Sequence, residues 1–199
     1  NMHGVDWEGL KKNYATLLPY VNQRQDLTYI IGELIGELNI GHAYVGGGDY
    51  VKADRVNMGL LGARLAKDPS GYYKITKIFK GQNWDRVTRS PLTEIGVNAK
   101  EGDYIIAING IKTSDVVNIN QLLIATADKQ VKLTLNSKPS EEGSRVVTVV
   151  PTNDEQKLIY YNWVEENYEK VNKATNGRVG YLHIPNMGSE GLNEFVKHF

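Results

Sequence analysis

The sequence predicts an α+β protein in which helical flanks enclose a small, partly open β-barrel. Residues 1–57 and 151–199 space their apolar side chains as helices do, whereas residues 58–150 hold short runs of β-branched residues broken by Gly and Asp. Charge divides the chain at the same places, because the middle segment has 13 basic and 9 acidic residues while each flank has 5 and 7. We therefore predict three segments with these boundaries.

The first segment predicts two helices. Asp6 can cap the first helix, and Pro19 can end it. Its apolar side consists of Trp7, Leu10, Tyr14, Leu17 and Leu18. Asp26 can cap the second helix, whose apolar positions recur at helical spacing and predict a buried stripe. The stripe consists of Leu27, Ile30, Ile31, Leu34, Ile35 and Leu38.

A short strand that contains a histidine is predicted after the second helix. Asn39 is a suitable left-handed stop for that helix. Residues 40–45 then predict a strand that contains His42 and runs into the three glycines at 46–48.

The middle segment predicts the barrel. Its strands are expected at residues 59–65, 73–79, 104–108, 131–136 and 145–150, with one helix at 118–127. Asn109 and Gly110 both tolerate positive φ, so they predict a tight hairpin turn.

The last segment predicts the opening of a truncated α/β piece. Asp154 can cap a helix that places Tyr161, Val164, Tyr168 and Val171 on one side. A strand buried on both faces is expected at 178–185, followed by a loop at 187–191 and a helix that reaches Phe199. Because Asn1 is an unusual first residue, we expect that an upstream segment has been removed, and the compartment stays undetermined.

Composition excludes several classes of function. The 23 basic and 23 acidic residues cancel, which disfavours nucleic acid as a partner. Cysteine is absent, so thiolate metal sites and cysteine nucleophiles are excluded. No apolar run is long enough for a membrane span, and no phosphate loop or dinucleotide motif occurs. We expect no cofactor, no metal and no membrane association.

Four blocks in order resemble the tricorn protease family. They are MHGVDW at residues 2–7, GELNIGHAYV at 36–45, WVEENYEKV at 163–171 and GRVGYLHIPNMGSEGLNEF at 177–195. A fifth block, GDYIIAING at 102–110, resembles PDZ domains of bacterial processing proteases. The resemblance implies a first catalytic subdomain at 1–57, a PDZ domain at 58–150 and the start of a second catalytic subdomain at 151–199.

The resemblance also implies a serine endopeptidase that acts on peptides or unfolded proteins. His42 matches the base histidine, since an imidazole can take the proton of a serine hydroxyl and later protonate the leaving amine. Gly188 lies in the loop that resembles the oxyanion loop. The nucleophilic serine and its glutamate are expected outside this chain, so the chain alone should be inactive. The resemblance implies that the whole protein forms a homo-oligomer. Its localisation would be the cytoplasm if the protein is like tricorn, or outside the cytoplasm if an upstream export signal was removed.

Three alternatives stay open. Tricorn has a serine before the base histidine where this chain has Gly41, which favours a non-catalytic PDZ scaffold as the second interpretation. The motif Gly59, Leu60, Leu61 and Gly62 fits either a PDZ loop that binds a peptide terminus or a hairpin corner. His183 competes with His42 as a functional histidine, and His3 and His198 are expected to be solvated.

Overall fold

A computed structural model describes residues 2, 4–54 and 56–198, so His3 and Phe199 lie outside the described residues. The chain separates into two compact units, residues 1–55 and 56–199. The N-terminal unit contains helices α1 (Trp7–Ala15) and α2 (Arg24–Gly36). The C-terminal unit contains a six-stranded antiparallel sheet and helices α3 (Gln156–Thr175) and α4 (Ser189–His198). The α+β prediction is confirmed.

The strands of the sheet are β1 (Ala63–Lys67), β2 (Tyr73–Ile78), β3 (Tyr104–Ile108), β4 (Ile111–Lys112), β5 (Val131–Asn136) and β6 (Arg145–Val149). They follow the order β1-β2-β3-β5-β6, and β4 pairs with β3. The sheet does not close, although Leu60 before β1 and Thr152 after β6 form one antiparallel bridge. This bridge draws the two edges together and produces the partly open barrel.

Branched aliphatic side chains fill the barrel and explain why these strands form. Ile75, Ile105, Leu133 and Leu135 are fully buried. Leu133 and Leu135 alternate along β5 and therefore face the same side, whereas the central strand β3 is buried at four consecutive positions from Ile105 to Ile108. Leu158 of α3 is also fully buried, so this helix packs against the barrel.

The predicted hairpin turn is confirmed. Asn109 and Gly110 have φ of 49° and 84°, and they connect β3 to β4. Both central residues of such a two-residue turn need positive φ, which Asn and Gly tolerate best. The Asn109 side chain also accepts a hydrogen bond from the Lys132 amide at 2.9 Å, which holds the turn on the neighbouring strand β5.

Two predictions for the barrel are wrong in extent. The first strand begins at Ala63 rather than at 59, because Gly59 and Leu60 donate their amides to Leu123 and Thr152 instead of to β2. The helix predicted at 118–127 is a 3₁₀ turn at Ile119–Leu123. It stops there because Ile124 is extended and Ala125 has φ of 57°.

Both helices of the N-terminal unit exist, but their details differ from the prediction. Asp6 caps α1 through the Gly9 amide at 3.0 Å, as predicted. Helix α1 ends at Ala15, which leaves Leu17 and Leu18 outside it and exposed. Asp26 is not the cap of α2: Gln23 is, and Asp26 completes a capping box three residues later.

The apolar stripe of α2 is only half-buried, so the prediction of a buried stripe is wrong. None of the described residues of the N-terminal unit is buried. Two helices alone leave much of each apolar face in contact with water.

Two predicted strands are absent from the described residues. Residues 40–45 form a turn and an irregular segment after Asn39, whose φ is 53°. Residues 178–185 are irregular and none of them is buried. A strand requires a neighbouring ladder, and neither segment takes part in a ladder among the described residues. No described helix is both long and apolar enough to span a membrane.

Candidate functional site

His42 lies on an exposed turn of the N-terminal unit. Helix α2 ends at Gly36, Asn39 reverses the chain, and the following segment returns along α2. Val45 packs there over Gly32, where an added Cβ would lie 3.5 Å from Val45 Cγ1. Thr28 and Tyr50 then join their hydroxyls at 3.0 Å. These contacts hold the segment that carries His42 against the helix.

The imidazole of His42 has one hydroxyl neighbour. Its Nδ1 lies 3.4 Å from the Tyr44 hydroxyl, and Tyr44 is itself exposed. Within the described residues, Nε2 has no hydrogen-bond partner and no carboxylate contacts the ring. The ring is therefore accessible, and one of its nitrogens is available to a group outside this unit.

The glycine turn after His42 packs on Arg24. Gly47 and Gly48 have φ of 77° and 105°. The φ of Gly48 favours glycine, and the Arg24 side chain packs over the space that a Cβ at this position would take. Arg24 belongs to the first turn of α2, and the contact anchors the returning chain there.

Gly188 lies at the start of α4 in the C-terminal unit. Its amide donates to Asn186 Oδ1 at 3.0 Å, and the same oxygen accepts from the Gly191 amide at 3.2 Å. Asn186 therefore caps the helix with its side chain. A Cβ on Gly191 would lie 1.8 Å from the Asn186 carbonyl oxygen, so this turn demands glycine. An oxyanion can accept a hydrogen bond from the Gly188 amide only if the Asn186 Oδ1 atom gives up that donor.

His183 is held by aromatic residues of α3. Its Nδ1 lies 2.7 Å from the Tyr160 hydroxyl, and its ring meets the Trp163 ring edge-on with centroids 4.8 Å apart. It lines a cavity of about 370 Å³ between α3, α4 and residues 82–88. The cavity rim carries an ion pair between Lys157 and Glu190 at 2.5 Å, which raises the pKa of Lys157 and lowers that of Glu190.

The motif at 59–62 is a corner of the barrel whose amides are largely engaged. Gly59 donates to the Leu123 carbonyl at 2.8 Å and Leu60 to the Thr152 carbonyl at 2.7 Å. Gly62 donates to Glu155 Oε2 at 3.2 Å, and Leu61 is buried in the core. The corner leads directly into β1, which is an edge strand of the sheet.

Sequence reasoning missed Glu155 and Asn186. Asp154 was the more obvious cap, and its carboxylate does accept from the Gln156 amide at 2.8 Å. Glu155 instead accepts from the Gly62 amide, beside the bridge that joins Leu60 to Thr152. Asn186 could have been found, because an Asn just before a predicted helix is a capping signal, and Asn186 lies three residues before Ser189. Nothing in the spacing of residues indicates a contact between positions 62 and 155.

The three candidates lie in different places. His42 belongs to the N-terminal unit, whereas Gly188 and the motif at 59–62 belong to the C-terminal unit. The partly open six-stranded barrel, with helix α3 packed on it, defines the class of the C-terminal unit as a PDZ-type domain.

Comparison with known proteins identifies the family. Residues 59–154 match the tricorn protease PDZ domain, and residues 1–36 match the tricorn protease C1 domain. The chain belongs to the tricorn protease family.

Individual relatives agree with this assignment. The chain is 38% identical over 195 residues to tricorn protease homolog 1 of Streptomyces coelicolor, covering 96% of this chain and 18% of that protein. It is 36% identical to the tricorn protease homolog of Saccharolobus solfataricus, covering 98% of this chain and 18% of the relative. A crystal structure of the tricorn protease superposes with a TM-score of 0.81 at 30% identity, over 96% of this chain and 18% of that one. The chain thus spans about a fifth of the length of the curated relatives it matches.

Proposed function

We propose that the protein to which this chain belongs is a serine endopeptidase that hydrolyses peptides or unfolded proteins by acyl transfer. Membership of the tricorn protease family carries the proposal. The nucleophilic serine and its orienting glutamate lie outside these 199 residues, so the chain alone hydrolyses no peptide. The three segments 1–57, 58–150 and 151–199 serve as first catalytic subdomain, PDZ domain and start of the second catalytic subdomain.

His42 acts as the general base and acid. Support comes from its exposed ring and from the Nε2 atom that no described residue occupies, since a base must reach the serine hydroxyl within hydrogen-bond distance. Tyr44 at Nδ1 contributes to the orientation of the ring. The acylation step transfers the serine proton to His42, and His42 then gives it to the departing amine.

Gly188 supplies an amide to the developing oxyanion. Its position at the first turn of α4 supports this role, because the amides at a helix N-terminus favour negative charge. The Asn186 side chain that now accepts from Gly188 is displaced when the oxyanion forms.

The PDZ domain binds peptides beside β1, with residues 59–62 at one end of the bound strand. β1 is an edge strand, and edge strands can accept an additional strand through their unpaired backbone groups. The whole protein forms a homo-oligomer.

Fluorophosphonate labelling of the full-length protein tests the catalytic part. We expect label on a serine outside residues 1–199, loss of label in His42→Ala and retention in His198→Ala, which alters another exposed histidine. Equal labelling of both variants would remove His42 from the site. The isolated 199-residue chain should take no label.

A non-catalytic PDZ scaffold is the second candidate, and Gly41 is the observation that favours it. This residue stands where the tricorn resemblance implies a serine beside the base. Absence of label on folded full-length protein, together with retained peptide binding, would establish the scaffold role.

A further inference from the structure

The corner at residues 59–62 contains one backbone donor whose acceptor is a side chain. The Gly59 and Leu60 amides bind backbone carbonyls, at 2.8 and 2.7 Å. The Gly62 amide binds the carboxylate of Glu155, which is 93 positions further along the chain. A carboxylate therefore already occupies the end of the motif that leads into the edge strand β1.

The surroundings of Gly62 leave no room for a side chain. Gly62 has φ of 68°, and an added Cβ would lie 3.0 Å from Leu158 Cδ2 and 3.2 Å from Pro91 Cδ. The same Cβ position is 3.4 Å from Ser90 Oγ. Ser90 is fully buried, and its Oγ has no hydrogen-bond partner in the described part of the chain. A second polar group thus lies unused beside the donor that Glu155 occupies, and buried hydroxyls usually have a partner.

The charges around Glu155 are mixed. Burial raises the pKa of its carboxyl, and the Asp154 charge acts in the same direction. The Gly62 amide and the Arg64 guanidinium oppose them. The Gly62 amide donates to the carboxylate of Glu155 and the positive charge of Arg64 attracts it, but burial removes part of its hydration.

Helix α3 delivers this carboxylate. Glu155 immediately precedes α3, and the helix packs on the barrel through Leu158. The buried Asn162 accepts from the Lys80 amide at 2.8 Å, and Glu166 pairs with Lys77 at 2.6 Å. Three contacts along the helix therefore keep Glu155 close to Gly62.

We propose that Glu155 is a built-in occupant of the PDZ corner, so that a peptide C-terminal carboxylate binds the Gly62 amide only after Glu155 has left it. The inference rests on the proposed peptide-binding role of the PDZ domain. The contact between Glu155 and the Gly62 amide and the binding of a peptide terminus to that amide are then mutually exclusive. If the corner is free in about a tenth of the molecules, the apparent affinity for the peptide falls about tenfold.

Amide NMR of the 199-residue chain tests the proposal. The probe is a heptapeptide that ends in Ala-Leu with a free carboxylate, compared with the same peptide ending in a carboxamide. In the wild-type chain we expect a protected Gly62 amide and weak binding. In Glu155→Ala we expect faster exchange of that amide and binding of the free-carboxylate peptide about ten times tighter or more, with Gly62 shifting and no such gain for the carboxamide.

Matched variants separate the contact from the fold. Glu155→Gln keeps an oxygen acceptor and should behave as the wild type. Glu155→Ser retains a residue suited to a helix N-terminus but is too short to reach Gly62, so it should behave as Glu155→Ala. Glu169→Ala, an exposed position on α3, should change nothing.

Equal affinity of the wild type and Glu155→Ala for the free-carboxylate peptide would overturn the proposal. So would a Gly62 amide that stays protected in Glu155→Ala and Glu155→Ser. If both the free-carboxylate and the carboxamide peptide shift the amide signals of β1 equally, the inference about Glu155 is refuted while the peptide-binding role of the PDZ domain stands. Absence of any peptide binding in all variants would refute the peptide-binding role of the PDZ domain as well.

Discussion

The two units of the chain differ most in how deeply they bury their apolar residues. In the C-terminal unit Ile75, Ile105 and Leu133 are completely inaccessible to water. In the N-terminal unit no described residue is buried, although the α2 stripe has regular helical spacing. Periodicity therefore indicates which face of an element is apolar, but the depth of burial depends on how many elements cover that face.

A pair of carboxylates shows the same difference in electrostatic terms. Asp26 accepts from the Asn22 and Gln23 amides at 3.0 and 3.1 Å, and the first of these bonds is the main cause of its lowered pKa. Glu155 accepts from the Gly62 amide at 3.2 Å, yet burial raises its pKa. Both bind backbone amides, so burial decides the direction of the shift.

The largest expected effect comes from the barrel core. Ile105→Ala should lower the free energy of unfolding by about 2–5 kcal/mol, because it removes fully buried methyl groups and leaves a cavity. Leu34→Ala, on the half-buried stripe of α2, should lower the free energy of unfolding by clearly less. Urea unfolding followed by circular dichroism, with amide exchange read separately in β3 and α2, measures both. Equal costs at the two positions would show that the α2 stripe is as well covered as the barrel core.

Substitution of a glycine by alanine should have opposite effects on stability in the two units. A Cβ on Gly81 would lie 1.8 Å from the Thr88 carbonyl oxygen, so Gly81→Ala forces a backbone shift and should cost about 1–3 kcal/mol. Gly36 at the end of α2 has nothing within 4 Å, and Gly36→Ala should stabilise the helix by about 0.4–1 kcal/mol. Thermal unfolding and exchange of α2 amides measure these changes. A stable Gly81→Ala variant would mean that residues 82–88 move freely.

Asp26→Asn should lower the melting temperature of α2 at neutral pH. Because the pKa of Asp26 is lowered on folding, its stabilising contribution is complete above the ordinary Asp pKa of about 3.9 and is lost as the pH falls through the folded value. The difference between wild type and variant should therefore disappear in acid. Melting curves of α2 between neutral and acid pH provide the measurement, and a difference that persists in acid would contradict the capping role.

Glu155→Gln should have the smallest effect on stability, and its dependence on pH should be opposite to that of Asp26→Asn. The pKa of Glu155 is raised on folding, so its carboxyl favours the folded state most below the ordinary Glu pKa of about 4.3, and this advantage is lost as the pH rises through the folded value. At neutral pH the neutral Gln should match or slightly exceed the wild-type stability. Melting temperatures of the barrel between pH 4 and 8 test this; a clear loss at neutral pH would show that the Gly62 and Arg64 interactions outweigh burial.

Much of the secondary structure could be predicted from local patterns. β3 and β5 have the predicted bounds, and the Asn109-Gly110 turn follows from the conformational freedom of its two residues. Residues 40–45 and 178–185 misled the prediction because β-branched and aromatic residues suit a strand but do not supply a partner. A strand exists only where a second backbone completes its hydrogen bonds.

Of the candidate site, the sequence indicated the residue types but not their neighbours. The roles proposed for His42 and Gly188 rest on the family resemblance. The contacts of Gly188 with Asn186 and of Gly62 with Glu155 appeared only in the structure. Side-chain contacts between distant positions depend on packing, which local spacing does not contain.

The sequence by itself determined the α+β class, the positions of the main barrel strands and of the helices α1, α2 and α3, the Asn109-Gly110 turn and the family to which the chain belongs. These follow from interactions between near neighbours and from motifs whose order is preserved. The tertiary structure decided which backbones pair at the two edges of the barrel, that α2 is half-buried and that a carboxylate from the start of α3 occupies the PDZ corner. Each of these depends on which elements meet in space, and burial there sets both the stability and the pKa of the groups involved.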